Sequence, residues 1–250
     1  MKNLGYKRFN AIAIKISFFL IIMYILSFLF PILYQELSLI SSSIITKPWS
    51  IFTYAFLHSR YDLSHLLYNI FALSLFGSIL EKIVGTKRFL MIFFSSIIIS
   101  GISGALFYSA IIGASGGIMG IIGVLTILKP KMMVWVGAPL PLIVVSIIWV
   151  LGDFIGIFYP ENIAHISHLA GIFFGFFIGF FYKKQNKKLG KEKYTKKENE
   201  KISENEIERW EEEWIKSKNN NKPLKTLKMV DNVLDFPLQL KQYSPDRWTA

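Results

Sequence analysis

Residues 113–117 read Gly113-Ala114-Ser115-Gly116-Gly117, and they open an apolar stretch that runs to Leu128. A second apolar stretch, residues 163–182, carries His168. A hydroxyl and an imidazole inside segments of hydrocarbon length are costly without a partner, so polar groups at that depth mark functional positions. A serine with a histidine is also the smallest set that makes an activated nucleophile. Four further stretches share this apolar character, at about residues 11–33, 64–81, 89–109 and 139–158. Backbone polar groups in lipid need partners inside their own segment, so each stretch is expected to be helical. The expected fold class is an all-α membrane protein with six spanning helices.

Composition agrees with that expectation. Of the 250 residues 52% are apolar and 16% aromatic, and there is no cysteine, which excludes disulfides, thiolate metal sites and a cysteine nucleophile. The net charge of +11 does not argue for nucleic acid. Up to residue 182 there are 11 Lys/Arg against 5 Asp/Glu, placed mainly at segment ends, and beyond it 17 against 12. Lys2, Lys7, Arg8 and Lys15 precede or open the first stretch. Lys82, Lys87 and Arg88 separate the second from the third, Lys129 and Lys131 follow the fourth, and Lys183 and Lys184 follow the sixth. These basic connections alternate with poor ones, and positive charge stays on the cytoplasmic side. The expected organisation is a cytoplasmic 1–10, a membrane domain 11–182 and a polar, cytoplasmic tail 183–250.

The fourth stretch is short. Its 14 or so residues rise about 21 Å at 1.5 Å each, less than the roughly 30 Å hydrocarbon core. Ser115 is therefore expected below the surface, beside a water-filled hollow. The long connection at 34–63 holds Pro48, Trp49, Phe52, Tyr54 and Phe56, and is expected to be a partly helical loop in the outer leaflet. In the tail, Ile207, Trp210 and Trp214 share one helical face, and residues 224–236 supply a second apolar pattern.

Ser115 opens a helix, where the first N–H groups lack intrahelical acceptors and can serve an oxyanion. An ordinary N-cap serine is the plain alternative. A second Gly-x-Ser-Gly string, around Ser103, lies inside a span and suits close helix packing instead. His65 and Asn69 lie four apart on one helix face, as two oxyanion donors or as interhelical hydrogen-bonding glue. His165 and His168 share another face, followed by Gly171, Gly175 and Gly179, and that small-residue ladder admits a close neighbour. With Gly116 and Gly120 on the facing helix, His168 comes within reach of Ser115.

These strings resemble the rhomboid family of intramembrane serine proteases, over about residues 48–180. The resemblance is carried by Gly113-Ala114-Ser115-Gly116 with Gly120, by His65-x-x-x-Asn69, by Gly77-x-x-x-Glu81-x-x-x-Gly85, and by Ala164-His165-Ile166-Ser167-His168-Leu169-Ala170-Gly171. It implies a six-helix bundle with Ser115 as nucleophile, His168 as general base, and an oxyanion site formed by the Ser115 N–H, His65 and Asn69. Gly113, Gly116, Met119, His165 and Gly171 are expected to support or pack these groups. Met119 stands where the family often has an aromatic ring, and the outer loop lacks the Trp-Arg pair of many bacterial members.

The expected activity is serine endopeptidase cleavage of transmembrane segments of membrane proteins, in the lipid bilayer of the cell membrane. Neither cofactor nor metal nor nucleic acid is implied. Asp153 and Glu161 are the acidic residues nearest His168 in sequence and neither is assigned, so packing around Met119 is expected to hold the ring. Pro139 and Pro141 are expected to interrupt the fifth helix and make it mobile. Two rival classes are a non-catalytic relative that binds transmembrane clients and a histidine-lined metal or ion transporter.

Overall fold

An apolar segment carries one donor and one acceptor per residue, and a helix satisfies both internally. The computed structural model is accordingly mostly helical. It describes residues 10–159 and 163–199, of 186–199 the backbone alone, together with Arg209, Glu212 and Lys216. In chain order the elements are α1 (Ile12–Leu29), α2 (Ile32–Leu37), β1 (Leu39–Ile40), a 3₁₀ turn at Ser41–Ser43, α3 (Ser50–Thr53), a 3₁₀ turn at Tyr54–Phe56, and α4 (Leu63–Ala72). A π-turn at Leu73–Gly77 joins α4 to α5 (Ser78–Val84). Then come α6 (Thr86–Ala105), β2 (Ala110–Ile111), α7 (Ser115–Leu128), β3 (Met133–Trp135), β4 (Pro139–Pro141), α8 (Leu142–Gly156) and α9 (His165–Asn199).

Among the described residues four helices are long and apolar enough to cross a membrane: α1, the Leu63–Val84 rod, α6, and His165–Gln185 of α9. The apolar helices α7 and α8 are shorter, at 14 and 15 residues. Phe18, Phe71, Ile147, Phe154, Phe177 and Phe181 lie exposed on several different helices. Large apolar side chains exposed on several helices fit lipid as the surrounding solvent.

Glu81 anchors one end of the bundle. It is buried, one carboxylate oxygen accepts from Thr86 Oγ1 at 2.8 Å, and the other accepts from the Ala13 N–H at 3.3 Å. A carboxylate suits the positive end of α1. Gly85, at φ +87°, makes the corner between α5 and α6. A Cβ on Gly77 would lie 2.9 Å from the Cβ of Ala13, so the Gly77–Glu81–Gly85 string seats α1 against the second rod.

The core lies between α6, α7 and the Leu63–Val84 rod, where Phe89, Phe93, Ile97, Ile121, Leu125, Leu73 and Leu80 are buried. Gly116, Gly117 and Gly120 of α7 meet Ser100, Ile97 with Phe93, and Ser96 of α6. On its other side α7 meets α9 backbone to backbone. A Cβ on Gly171 would strike the Gly116 carbonyl, one on Gly175 the Gly120 carbonyl, and one on Gly179 would lie 2.8 Å from Ile127 Cβ. The contacts advance along both helices in the same sense, so α7 and α9 run parallel with their N-termini together.

The fifth apolar stretch differs from expectation. Pro139 and Pro141 belong to β4, paired with β3 through Met133–Pro141 and Trp135–Pro139, and α8 begins only at Leu142. Proline lacks the N–H that a helix needs and biases the residue before it away from helix. The prolines therefore end a hairpin, turned at Gly137 (φ +91°), and do not interrupt the helix. The sixth stretch runs on as helix past residue 182 to Asn199. The chain divides into two units, 1–189 and 190–250. In the second, Lys216 pairs with Glu212 at 3.3 Å. Ile207, Trp210, Trp214 and residues 224–236 lie outside the described residues.

Candidate active site

Ser115 is the first residue of α7, and Ala114 stands at the N-cap without a side-chain cap. The ordinary N-cap reading of Ser115 thus does not apply. Its hydroxyl meets another helix instead: Ser115 Oγ and His168 Nε2 are 2.8 Å apart. Ile118 N–H makes the first intrahelical bond, to the Ala114 carbonyl. The N–H groups of Ser115, Gly116 and Gly117 precede it and have no intrahelical acceptor. They point a partial positive charge toward the space in front of Ser115.

The turn before Ser115 is held from three sides. Gly113 has φ +111°, a conformation L side chains rarely adopt, and a Cβ there would sit 2.7 Å from His65 Nε2. Its N–H donates to the Tyr54 carbonyl at 3.0 Å. The strand pair β1–β2 (Leu39–Ile111, Ile40–Ala110), extended by Ser41 N–H to Ser109 carbonyl at 3.0 Å, ties the same turn to the long connection.

That connection is partly helical, as expected, but Tyr54 is not an interfacial aromatic. It is buried, its hydroxyl donates to the Ile97 carbonyl at 2.8 Å, and Gly101 leaves room for its ring. Trp49 and Phe52 remain exposed. Burial raises the Tyr54 phenol well above its ordinary value, which keeps it a neutral donor.

His65 and Asn69 lie on the α4 face that borders this turn. Asn69 is buried, and its amide nitrogen donates to the His65 carbonyl at 2.6 Å, which leaves one amide hydrogen unused. Behind His65 is His58, fully buried, with ring centroids 5.1 Å apart and edge to face. Burial, and secondarily His65, pushes the His58 imidazole down to about 3, so it is neutral at ordinary pH.

The α9 side corrects one expectation. Asp153 of α8 does reach the histidines: its Oδ1 lies 3.0 Å from His168 Nδ1 and 2.7 Å from His165 Nδ1. Sequence distance hid this, because Asp153 sits on another helix, 12 and 15 residues away. The ring of His168 is held by a carboxylate, and Met119 is half-buried against the core. His165 is buried beside Gly156, where a Cβ would collide with its ring. Gly116 and Gly171 permit the close approach of α7 and α9 that brings Ser115 to His168. Ser103 lies inside α6 and not at a helix start, and Glu161 lies outside the described residues.

Among the described residues, Asp153, His165 and His168 form the one group whose ligand atoms gather closely enough for a metal, all within 4.8 Å of one another. In the arrangement observed, Asp153 Oδ1 lies at hydrogen-bond distance from Nδ1 of each histidine. The whole constellation can activate a hydroxyl and offer donors to an anion next to it. A family model described as the Rhomboid domain matches residues 46–185, more than half of the chain. Among curated proteins there is no match.

Proposed function

The chain belongs to the rhomboid family, and from that premise we propose that it is an intramembrane serine endopeptidase that cuts transmembrane segments of other membrane proteins. The observation that carries this reading is the 2.8 Å contact between Ser115 Oγ and His168 Nε2. Nucleophile and base within hydrogen-bond reach are the signature of covalent acyl transfer.

In the proposed reaction Ser115 Oγ attacks the scissile carbonyl carbon and its proton passes to His168 Nε2. The C–N bond then breaks, and the leaving amine takes that proton. Water attacks the resulting ester, again deprotonated by His168, and releases the acid and free Ser115. The negative charge on the carbonyl oxygen is met by the Ser115 N–H, by His65 and by the spare hydrogen of Asn69. Loss of one such donor typically costs about 100- to 1000-fold in rate.

The substrate is a transmembrane helix that enters sideways from lipid and unwinds near a small residue. Six helices cross the membrane in this reading: α1, Leu63–Val84, α6, α7, α8 and α9. Residues 1–10 and the tail from 183 face the cytoplasm, and Ser115 opens toward water on the outer side. No cofactor takes part.

Ser115→Ala and His168→Ala should each abolish cleavage of a reconstituted single-span substrate while the thermal unfolding profile is kept. A fluorophosphonate should label wild type and not Ser115→Ala. Cleavage that survives Ser115→Ala, or is lost to a chelator, would refute the assignment. A client-binding role without catalysis would leave the wild type unlabelled.

A further inference from the structure

The carboxylate of Asp153 is the group in this site that the two-residue mechanism does not use. It is about one-tenth exposed, on the last turn of α8, and it meets two imidazoles through a single oxygen. His168 presents Nε2 to Ser115 and Nδ1 to Asp153. A carboxylate accepts and does not donate, so the contact requires a hydrogen on Nδ1. That leaves Nε2 as the lone-pair nitrogen facing the serine, the tautomer a general base needs. His165 donates its own Nδ1–H to the same oxygen at 2.7 Å, which stops the carboxylate from rotating away.

We propose that Asp153 is a positioning residue for the reaction, completing a Ser115–His168–Asp153 triad in which His165 steadies the carboxylate. The inference rests on the protease reading above and adds a third member to it. When His168 takes the Ser115 proton it becomes an imidazolium, and the adjacent carboxylate then forms a neutral pair with it inside a poorly solvated site. The Nδ1 proton stays on the ring throughout, and Asp153 stays ionised. Among the described residues, the ionisable groups that face His168 are Asp153 from α8, His165 from its own helix and His65 from α4. Of these Asp153 is the one anion.

The test uses full-length protein in detergent and in liposomes. Asp153→Asn should lower kcat by about 100- to 10,000-fold and leave KM within about twofold of wild type, because Asp153 does not touch the substrate. Asp153→Glu should recover a measurable part of the rate. Unchanged thermal unfolding of these variants separates orientation from folding. A measurement that needs no turnover is the ¹⁵N spectrum of the imidazoles. Wild-type His168 should carry its hydrogen on Nδ1, and Asp153→Ala should populate the form with hydrogen on Nε2. Wild-type kcat in Asp153→Asn, or hydrogen on Nε2 in the wild type, overturns the proposal. Were the wild type neither to cleave nor to take up a fluorophosphonate, the protease reading would fall, and the tautomer would still decide for or against the Asp153 contact.

Discussion

Gly113 meets two constraints at one Cα. Its positive φ excludes ordinary side chains, and the His65 ring occupies the space a Cβ would need. Gly113→Ala is expected to cost about 1–3 kcal/mol, the usual range for a residue forced into such backbone. It should depress cleavage further by moving the N–H groups at the start of α7, which thermal unfolding and turnover measured together would reveal. His58 gives a second prediction at this scale. Its folded value is near 3 and its unfolded value near 6.5, so above about pH 6.5 the ring is neutral in both states and its contribution is complete. As pH falls below 6.5 the unfolded chain gains a proton that the folded chain refuses, down to about pH 3. Stability should decline by up to about 1.4 kcal/mol per pH unit from this group. Thermal unfolding at pH 7.5 and pH 5 should show a steeper loss in wild type than in His58→Gln.

The α7–α9 contact is an element-scale device. Parallel helices meet through Gly116, Gly120 and Gly123 on one side and Gly171 and Gly175 on the other, so backbone touches backbone. Overpacking such a seam costs about 1–3 kcal/mol. Gly175→Val should lower the unfolding temperature, and it should lower turnover more than stability, because any spreading of the helices pulls His168 from Ser115. Gly152 on α8 is the control, since a Cβ there meets nothing within 4 Å. Gly152→Ala should be neutral, or stabilising by several tenths of a kcal/mol through helix propensity. The π-turn at Leu73–Gly77 and the β1–β2 pair act at the same scale: one adjusts the rod bearing His65 and Asn69, the other fastens the turn that carries Ser115. Neither has a clear mark in the sequence, because both arise where elements must fit one another.

For the whole molecule, the proposed six crossings place the connection before α4 and the connection after α7 on opposite sides of the bilayer. The chain has no cysteine, so single substitutions report without interference. Tyr61 is fully exposed beyond the N-terminal end of α4, and Lys131 lies in the connection after α7. Tyr61→Cys should react with an impermeant maleimide from outside intact cells, and Lys131→Cys only after the membrane is opened. Labelling of both from one side would refute six crossings with cytoplasmic termini.

At this scale the division between sequence and tertiary structure is clear. The apolar stretches, the short fourth helix, the glycine ladder and the Ser115 and His168 strings were readable from the chain, because length, period and helix-end chemistry are local properties. The late start of α8 at Leu142 is local too, because Pro139 and Pro141 lack the N–H that a helix needs. Three features depended on tertiary structure: the burial of Tyr54, the shared turn at Gly113, and above all the carboxylate of Asp153 between two imidazoles. Asp153 lies on a helix whose rotation and depth against α9 are set by packing, and no spacing along one chain specifies where two separate helices will point their side chains.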